Sequence, residues 1–403
     1  MNQNQNTPRT KTFVTITILA LVLTFQAFGQ TYTVTDLGTL GGAGSTAEAI
    51  NNSGVAVGWA HTAGGSPHAF AFTNGPLKDL GTLGGLNSTA FNLNDAGQIV
   101  GFANATGSSA QRAFLYNGST MLDLGAALPG STNSIARSIN SSGVIVGEYH
   151  TANGHQRPFV YTNGVAQDLG FDGFANDIND LGQIVGVDRS AGGGQGFILT
   201  GGQKTYVGTL GGNDTGAHRI NNTGTVIGNS MTGGGQYHAF VYHHGTIRDL
   251  GTLGGASSAI GGINSQGLIV GEARNSQGNL RAFIYRNGVM LDLNNFIPPA
   301  SGWVLTSATA INDSGRIVGA GQYNGQTRAF LLIPDNDLSI ALYAGLTING
   351  IVGRTYRIDY LDAVTPSSTW LELTNIVLPT TPYLFLDARP LAYQRYYRSV
   401  LLP

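Results

Sequence analysis

The sequence predicts an all-β protein: a seven-bladed β-propeller closed by an N-terminal strand, followed by a small β-rich, sandwich-like domain. Three recurring phrases carry the prediction. The first, "IN..G.IVG" with Leu allowed for Ile, places its Asn at Asn51, Asn94, Asn140, Asn179, Asn221, Asn264 and Asn312. The second, an "AF.Y"-like segment, places its Phe at Phe70, Phe114, Phe159, Phe197, Phe240, Phe283 and Phe330. The third, "DLG", has its Leu or replacement at Leu37, Leu80, Leu124, Leu169, Val207, Leu250 and Leu293. Four short strands in each unit, repeated at intervals of 39 to 48 residues, is the pattern of radially arranged sheets.

Residues 1–29 precede the first unit and read as a secretory signal peptide: Arg9 and Lys11, an apolar run from about Phe13 to Phe25, then Ala27 and Gly29. The apolar run is shorter than the ~20 residues that span a bilayer, so no membrane span is expected in the mature chain. Export then places the protein in a secreted or extracellular setting, with cell-surface association as a variant. The chain has no cysteine, so neither disulfides nor a thiolate metal site can staple it. A net charge of -2 argues against a general nucleic-acid binder, which carries a basic field. Sixty glycines, 41% hydrophobic and 10% charged residues suit many short strands and tight turns.

Within a unit, "TAFNLN", "GQIVGFA", "RAFLYN" and "MLDLGTL"-like segments alternate or run apolar and are rich in β-branched and aromatic residues. The Asn of "IN..G" can bond its own turn, its Gly can take positive φ, and "NG" at Asn163-Gly164 and Asn287-Gly288 signals a hairpin. The variants at Asp95, Asp180 and Asp313 resemble part of a calcium loop but lack its spaced oxygen ligands. No metal or cofactor is expected. The last unit lacks a following "DLG", whereas the chain enters on "TYTVTDLG" without earlier strands; Tyr32 to Gly38 can therefore complete the seventh blade. An open solenoid is the alternative, and it would call for capped ends. The glycines of "DLGTLGG" read as the crossing between blades; a phosphate loop would occur once and open a helix.

The segments "HAF" at His68 to Phe70 and His238 to Phe240, with "DLGTLGG" and "IN..G.IVG", resemble the HAF-repeat family of extracellular bacterial repeat proteins. The resemblance covers about residues 31 to 333 and implies export and repetition, without an activity or catalytic residues. The propeller is assigned residues 30–334, a linker 335–337 and the C-terminal domain 338–403. That last region resembles C-terminal modules of secreted bacterial proteins through a "TYRI.Y...W" core and a terminal "YYR.V" strand, which implies an accessory role in attachment or display. Arg354, Arg357, Arg395 and Arg398 there suit either acidic polymers or solvated strand edges; Trp370, Tyr396 and Tyr397 read as core.

A polar residue two before each Phe and an Asp eleven residues later suggest cross-strand pairs: His68 with Asp79, Arg112 with Asp123, Arg157 with Asp168, His238 with Asp249, and Arg281 with Asp292. The same logic pairs Arg328 with Asp36 across the closure. The fourth unit has Gln195 and Val207 instead, and this joint loss favours structural pairs over a cationic ring for an anionic glycan. The longer loops between second and third strands vary most, so Tyr149, His150, His155, Tyr237, His238 and Tyr323 are the candidate ligand-binding residues. Catalysis is thinly supplied: Glu48, Glu148, Asp172, Asp188, Asp214 and Glu272 remain outside the repeated slots, with no spacing that sets two carboxylates at a hydrolase's separation. The expected function is a non-catalytic binding or structural module, with extracellular or cell-envelope polysaccharide as the partner class. A propeller glycan hydrolase or lyase is the alternative.

Overall fold

The computed structural model describes residues 31–128, 130–335, 344–361, 369–387 and 396–402. The expected signal peptide, residues 336 and 337 of the expected linker, and Arg395 lie outside them. Two compact units result, one ending at Asp335 and one built from the residues after it. No helix among the described residues is long and apolar enough to cross a membrane.

In the first unit, seven four-stranded antiparallel sheets occur among the described residues. The first sheet runs in chain order through Gly41–Ile50, Ala56–Thr62, Pro67–Phe72 and Lys78–Asp79. The first strands of the following six are Gly84–Leu93, Ser131–Ile139, Gly173–Ile178, Gly211–Ile220, Gly254–Ile263 and Trp303–Ile311. Each of these contacts the next, and Trp303–Ile311 contacts Gly41–Ile50. The seventh sheet takes its fourth strand from the start of the unit: Tyr32–Gly38 pairs antiparallel with Gln326–Pro334, with Tyr32 opposite Pro334 and Asp36 opposite Phe330.

Local chemistry explains the turns. Asn51 accepts the Val55 amide on Oδ1 at 2.9 Å, closing its own turn, and Gly54 adopts φ +83°. The pairs Asn163-Gly164 and Asn287-Gly288 both hold positive φ, as a two-residue type I′ hairpin requires. The glycine of "VG" answers a different need. A β-carbon at Gly58 would fall 2.0 Å from the Thr46 carbonyl oxygen, and one at Gly228 would fall 1.9 Å from that of Gly216, so only glycine lets the first two strands approach.

The core lies between sheets. All seven repeated phenylalanines are fully buried, and Phe70 packs with Ile50 and Ala56 of its own sheet but also with Leu37, Val318 and Leu331 of the seventh. Truncating one such Phe to Ala would cost about 3 to 5 kcal/mol. Buried serines add joints: Ser88 Oγ donates to the Gly81 carbonyl at 2.6 Å and accepts the Ala69 amide at 2.8 Å, and Ser258 repeats this with Gly251 and Ala239.

Two expectations are corrected. In the fourth sheet Phe197 lies opposite Tyr206, the place that Asp79 takes opposite Phe70; Val207 fills the leucine slot and is buried. The residue standing in for the Asp is therefore Tyr206. The final two glycines of "GTLGG" also open the next first strand, as in Gly41–Ile50, and do not belong to the crossing.

The second unit holds a three-stranded sheet, with Thr355–Leu361 between Leu371–Val377 and Tyr396–Leu401, and a pair formed by Ala344–Ile348 and Tyr383–Asp387. Leu346, Ile348, Tyr356, Ile358 and Leu378 form its core. Asp359 is buried and accepts from Arg357 Nε and Arg398 Nε, each at 2.8 Å, so these two arginines serve a carboxylate of their own sheet. Tyr397 packs against the core, whereas Tyr396 is exposed, contrary to its expected place.

Candidate functional site

The loop end holds the residues singled out for binding, and all but the His150 imidazole have a side-chain partner. Tyr149 is only 7% exposed within the strand Ile145–Thr151, and its hydroxyl donates to Asp168 Oδ2 at 3.1 Å. Burial and the adjoining Asp168 carboxylate push its pKa up; it is not a free loop residue. His155 Nδ1 lies 3.1 Å from Asp172, and the His150 carbonyl accepts from Thr132 Oγ1 at 3.1 Å. Tyr237 donates to Asp214 Oδ2 at 2.5 Å, a hydrogen bond that raises the phenol's pKa. Tyr323 stacks on Trp303 at 4.8 Å. Among these six residues, no hydrogen bond or ring contact joins one sheet to another.

In five sheets the cation and Asp slots meet. Distances are 2.8 Å for His68 to Asp79, 3.2 Å for Arg112 to Asp123, 3.0 Å for Arg157 to Asp168, 2.8 Å for His238 to Asp249 and 2.9 Å for Arg328 to Asp36. Arg281 stays 3.9 Å from Asp292, which caps a short 3₁₀ turn by accepting the Asn294 amide. The fourth sheet uses a different device. Lys204 Nζ donates to Asp188 Oδ2 at 2.6 Å and Tyr206 Oη to the same oxygen at 2.9 Å, with the ammonium 3.3 Å from the Phe171 ring centroid. Burial opposes ionisation of Asp188, but the bonds from Lys204, Ser190 and Tyr206 outweigh it and hold the carboxyl at about 2.

The opposite, turn end carries the concave site. Asn51 Nδ2 donates to the Asn94 carbonyl at 3.1 Å, Asn94 to Asn140 at 3.1 Å, Asn140 to Asn179 at 3.2 Å and Asn179 to Asn221 at 3.1 Å. Asn221 continues to Asn264 at 3.1 Å, Asn264 to Asn312 at 3.2 Å, and Asn312 returns to Asn51 at 3.0 Å. These side chains bond neighbouring sheets as well as their own turns. The next residue of each turn forms an outer set: Asp95, Asp180 and Asp313 accept the amides of Asn52, Ser141 and Ser265 at 2.8, 2.9 and 2.9 Å. Burial opposes ionisation of Asp180 too, yet bonds from Ser141 and Asn222 keep its pKa below the ordinary value. The turns surround a cavity of about 260 Å³, with Asn92, Ser138 and Asp177 among its deeper lining residues.

These deeper residues belong to a feature that the repeat phrases conceal. Every first strand has a β-bulge after its phrase alanine or the equivalent Ile260, and the pair at the bulge differs in every unit: Glu48-Ala49, Phe91-Asn92, Arg137-Ser138, Asn176-Asp177, His218-Arg219, Gly261-Gly262 and Thr309-Ala310. Bulges re-aim side chains and recur beside functional sites. Aligning the seven units on "IN" exposes the pair. Burial raises Glu48 to about 7 against the Arg219 charge and a hydrogen bond from Trp59. Burial also raises Asp177, which accepts from Ser138 Oγ at 2.5 Å and from the Ile220 amide at 2.9 Å. His218 is lowered to about 4 by burial, Arg219 and Arg137, with Asp214 opposing. Arg137 grips buried Glu148 through two bonds of 2.9 and 2.8 Å.

Among the described residues no group of three or more His, Asp or Glu side chains is placed to hold a metal ion. Asp172, Asp188 and Asp214 are bonded as above, and Glu272 has no hydrogen-bonded partner among the described residues.

No family model matches the sequence, and no curated protein matches it. Among solved structures, a puromycin-hydrolyzing peptidase of Mycobacterium tuberculosis is similar at 12% identity and a TM-score of 0.49, over 84% of this chain and 62% of that one. TolB from Acinetobacter baumannii is similar at 16% identity and a TM-score of 0.38, over 58% of this chain and 63% of that one. Trypanosoma rangeli sialidase is similar at 10% identity and a TM-score of 0.37, over 82% of this chain and 84% of that one. The chain thus spans less than two thirds of the length of the peptidase and of TolB.

Proposed function

We propose that residues 30–334 form a seven-bladed β-propeller closed by Tyr32–Gly38, and that the exported protein is a non-catalytic binding or structural module for extracellular or cell-envelope polysaccharide. The observation that supports this reading best is the turn-end cavity, lined by residues of all seven sheets and rich in amide, hydroxyl and carboxylate groups. Those groups are tied to one another across sheets, which gives a rigid polar surface; preorganised polar groups suit recognition of hydroxyl-bearing ligands. The likeness of "HAF" and "IN..G.IVG" to the HAF-repeat family agrees with export. Intact mass of protein recovered from culture medium tests that part: a start near Gln30 supports it, and retention of residues 1–29 overturns it.

A glycan hydrolase or lyase is the second reading, favoured by one observation: Glu48 titrates near neutrality and Asp177 is raised, both under the influence of Arg219. General acids work best near the operating pH. A glycan array followed by product analysis separates the two. Binding without new chain ends supports the module; cleavage that Glu48→Gln or Asp177→Asn abolishes overturns it.

A further inference from the structure

We infer that the turn-end cavity receives the end of a neutral glycan chain, entering end-on, and that neither an internal chain segment nor an acidic polymer fits it. This rests on the polysaccharide reading above and specifies its site.

The cavity is an open depression ringed by turns. The lining draws on every one of the seven sheets, with Asn52, Asp95, Ser141, Asp180, Asn222, Ser265 and Asp313 as its outermost members. A polymer approaching from the side meets turns locked to their neighbours by the asparagine circuit. At about 260 Å³ the space sits just below the ~300 to 1,000 Å³ usual for small-molecule pockets, enough for a terminal unit and too little for a bundle of chain.

Charge comes second. Asp95, Asp177, Asp180 and Asp313 line the cavity, and no Lys, Arg or His does. Arg219, whose place in its sheet matches that of Asp177, donates to the His218 carbonyl and is not part of the lining. Carboxylates gathered around one depression repel an anionic ligand.

The deep wall completes the argument. Asn92 Nδ2 donates to Ser138 Oγ at 3.1 Å, and Ser138 donates to Asp177 at 2.5 Å. Ser138 is 1% and Asp177 7% exposed. An amide carries two N–H donors and a carboxylate about four acceptor sites, so beyond the bonds to Ser138, Ile220 and Ile178 this chain keeps a donor at its Asn92 end and an acceptor at its Asp177 end, the complement of two hydroxyls of one sugar unit. The matching positions in the first, sixth and seventh sheets are Ala49, Gly262 and Ala310, which offer no side-chain polar group. The polar contacts are one-sided, which fixes how an entering unit turns.

The test is calorimetric titration of the full chain with cellotriose and cellohexaose, the matching chitin, maltose and laminarin oligomers, and hexagalacturonate. The expected result is binding of at least one neutral series, equal within threefold per mole of chain for trimer and hexamer, and no binding of hexagalacturonate. Ser265→Trp and Ser141→Trp plug the mouth at separate points while keeping the backbone amides that Asp313 and Asp180 accept. Each should weaken binding at least tenfold with an unchanged circular dichroism spectrum, and His150→Ala at the loop end should leave it unchanged. Affinity rising tenfold or more from trimer to hexamer, or tighter binding of hexagalacturonate, overturns the end-on neutral assignment. Binding that survives both plugs but is lost in His150→Ala moves the site to the loop end and leaves polysaccharide recognition standing. Failure of every oligomer, with an empty glycan array, overturns both.

Discussion

At the turn end the same asparagine stands in all seven units, whereas at the loop end the cation slot holds histidine twice, arginine four times and Gln195 once. The difference follows from where each bond begins and ends. An Asn such as Asn140 donates to the next sheet and receives from the previous one on its carbonyl, so altering one unit disturbs two joints. A pair such as His238 and Asp249 lies within one sheet, and both partners can change together without any neighbour noticing. A closed circuit of identical bonds enforces uniformity; bonds within repeats permit drift. The fourth sheet is the extreme of drift, having replaced the pair with Lys204, Asp188 and Tyr206.

Among these polar contacts the largest expected effect is therefore at an inter-sheet joint. Asn140→Ala removes the bond to Asn179 and the one from the Val144 amide, in a residue class only 3 to 8% exposed, and should cost about 3 kcal/mol in urea unfolding. A loss below about 1 kcal/mol would erase the contrast between the two ends. Next comes Lys204→Met. It leaves the buried Asp188 carboxylate with the Tyr206 hydroxyl and the Ser190 amide and side chain, and should cost about 2 to 3 kcal/mol, less than a fully bare buried charge because those bonds remain. Asp188 is depressed, so its contribution is present above the unfolded pKa near 3.8 and fades as pH falls through about 2; in Lys204→Met the depression shrinks, so the loss on acidification should be smaller and complete at a higher pH.

Smaller again is the closure pair. Arg328 and Asp36 meet at 2.9 and 3.3 Å with side chains 20% and 26% exposed, and a double-mutant cycle to alanine should give a coupling of about 1 kcal/mol. The same cycle on Arg281 and Asp292, 3.9 Å apart, should give about zero. Equal couplings would show that distance within the slot does not matter.

The smallest expected effect is a near cancellation. Glu48 is raised from 4.5 to about 7, so its contribution is complete below 4.5 and is lost as pH rises through 7. His218 is lowered from 6.5 to about 4, so its contribution is complete above 6.5 and is lost as pH falls through 4. Between these limits the two slopes oppose, and Asp177, also raised, tilts the balance with Glu48. Melting temperature should fall only gently from pH 4.5 to 6.5 in the parent chain, fall steeply in His218→Asn, and turn level or upward in Glu48→Gln. Parallel profiles in all three would contradict the assignment.

The repeated turns and strands are legible in the sequence because their causes are local: Asn51 closes a turn four residues long, and Gly54 supplies its positive φ. The fourth sheet misleads by one position because Tyr206 does the work of an Asp with a different chemistry. The candidate site is nearly invisible for a physical reason. Asp177 and Asn92 become parts of one wall only when separate sheets converge, and a search for what repeats passes over the one pair of positions that does not. At the loop end, variation alone does not distinguish a ligand contact from a side chain such as Tyr149 that is already bonded at home.

Tyr32–Gly38 pairs with Gln326–Pro334, and Asp335 donates its amide to the Thr31 carbonyl, so the first and last strands of the unit are partners. That pairing imposes an order on assembly. A chain emerging from its N-terminus holds this strand unmatched while six sheets form behind it, and the edge it will cover, with Leu331 and Ile333, stays open until the end. Contacts of such long sequence separation form late and slowly. A nascent chain stopped short of Gln326 has neither a partner for its first strand nor a cover for Leu37, so the earliest strand of the unit is the one that waits longest for its hydrogen bonds.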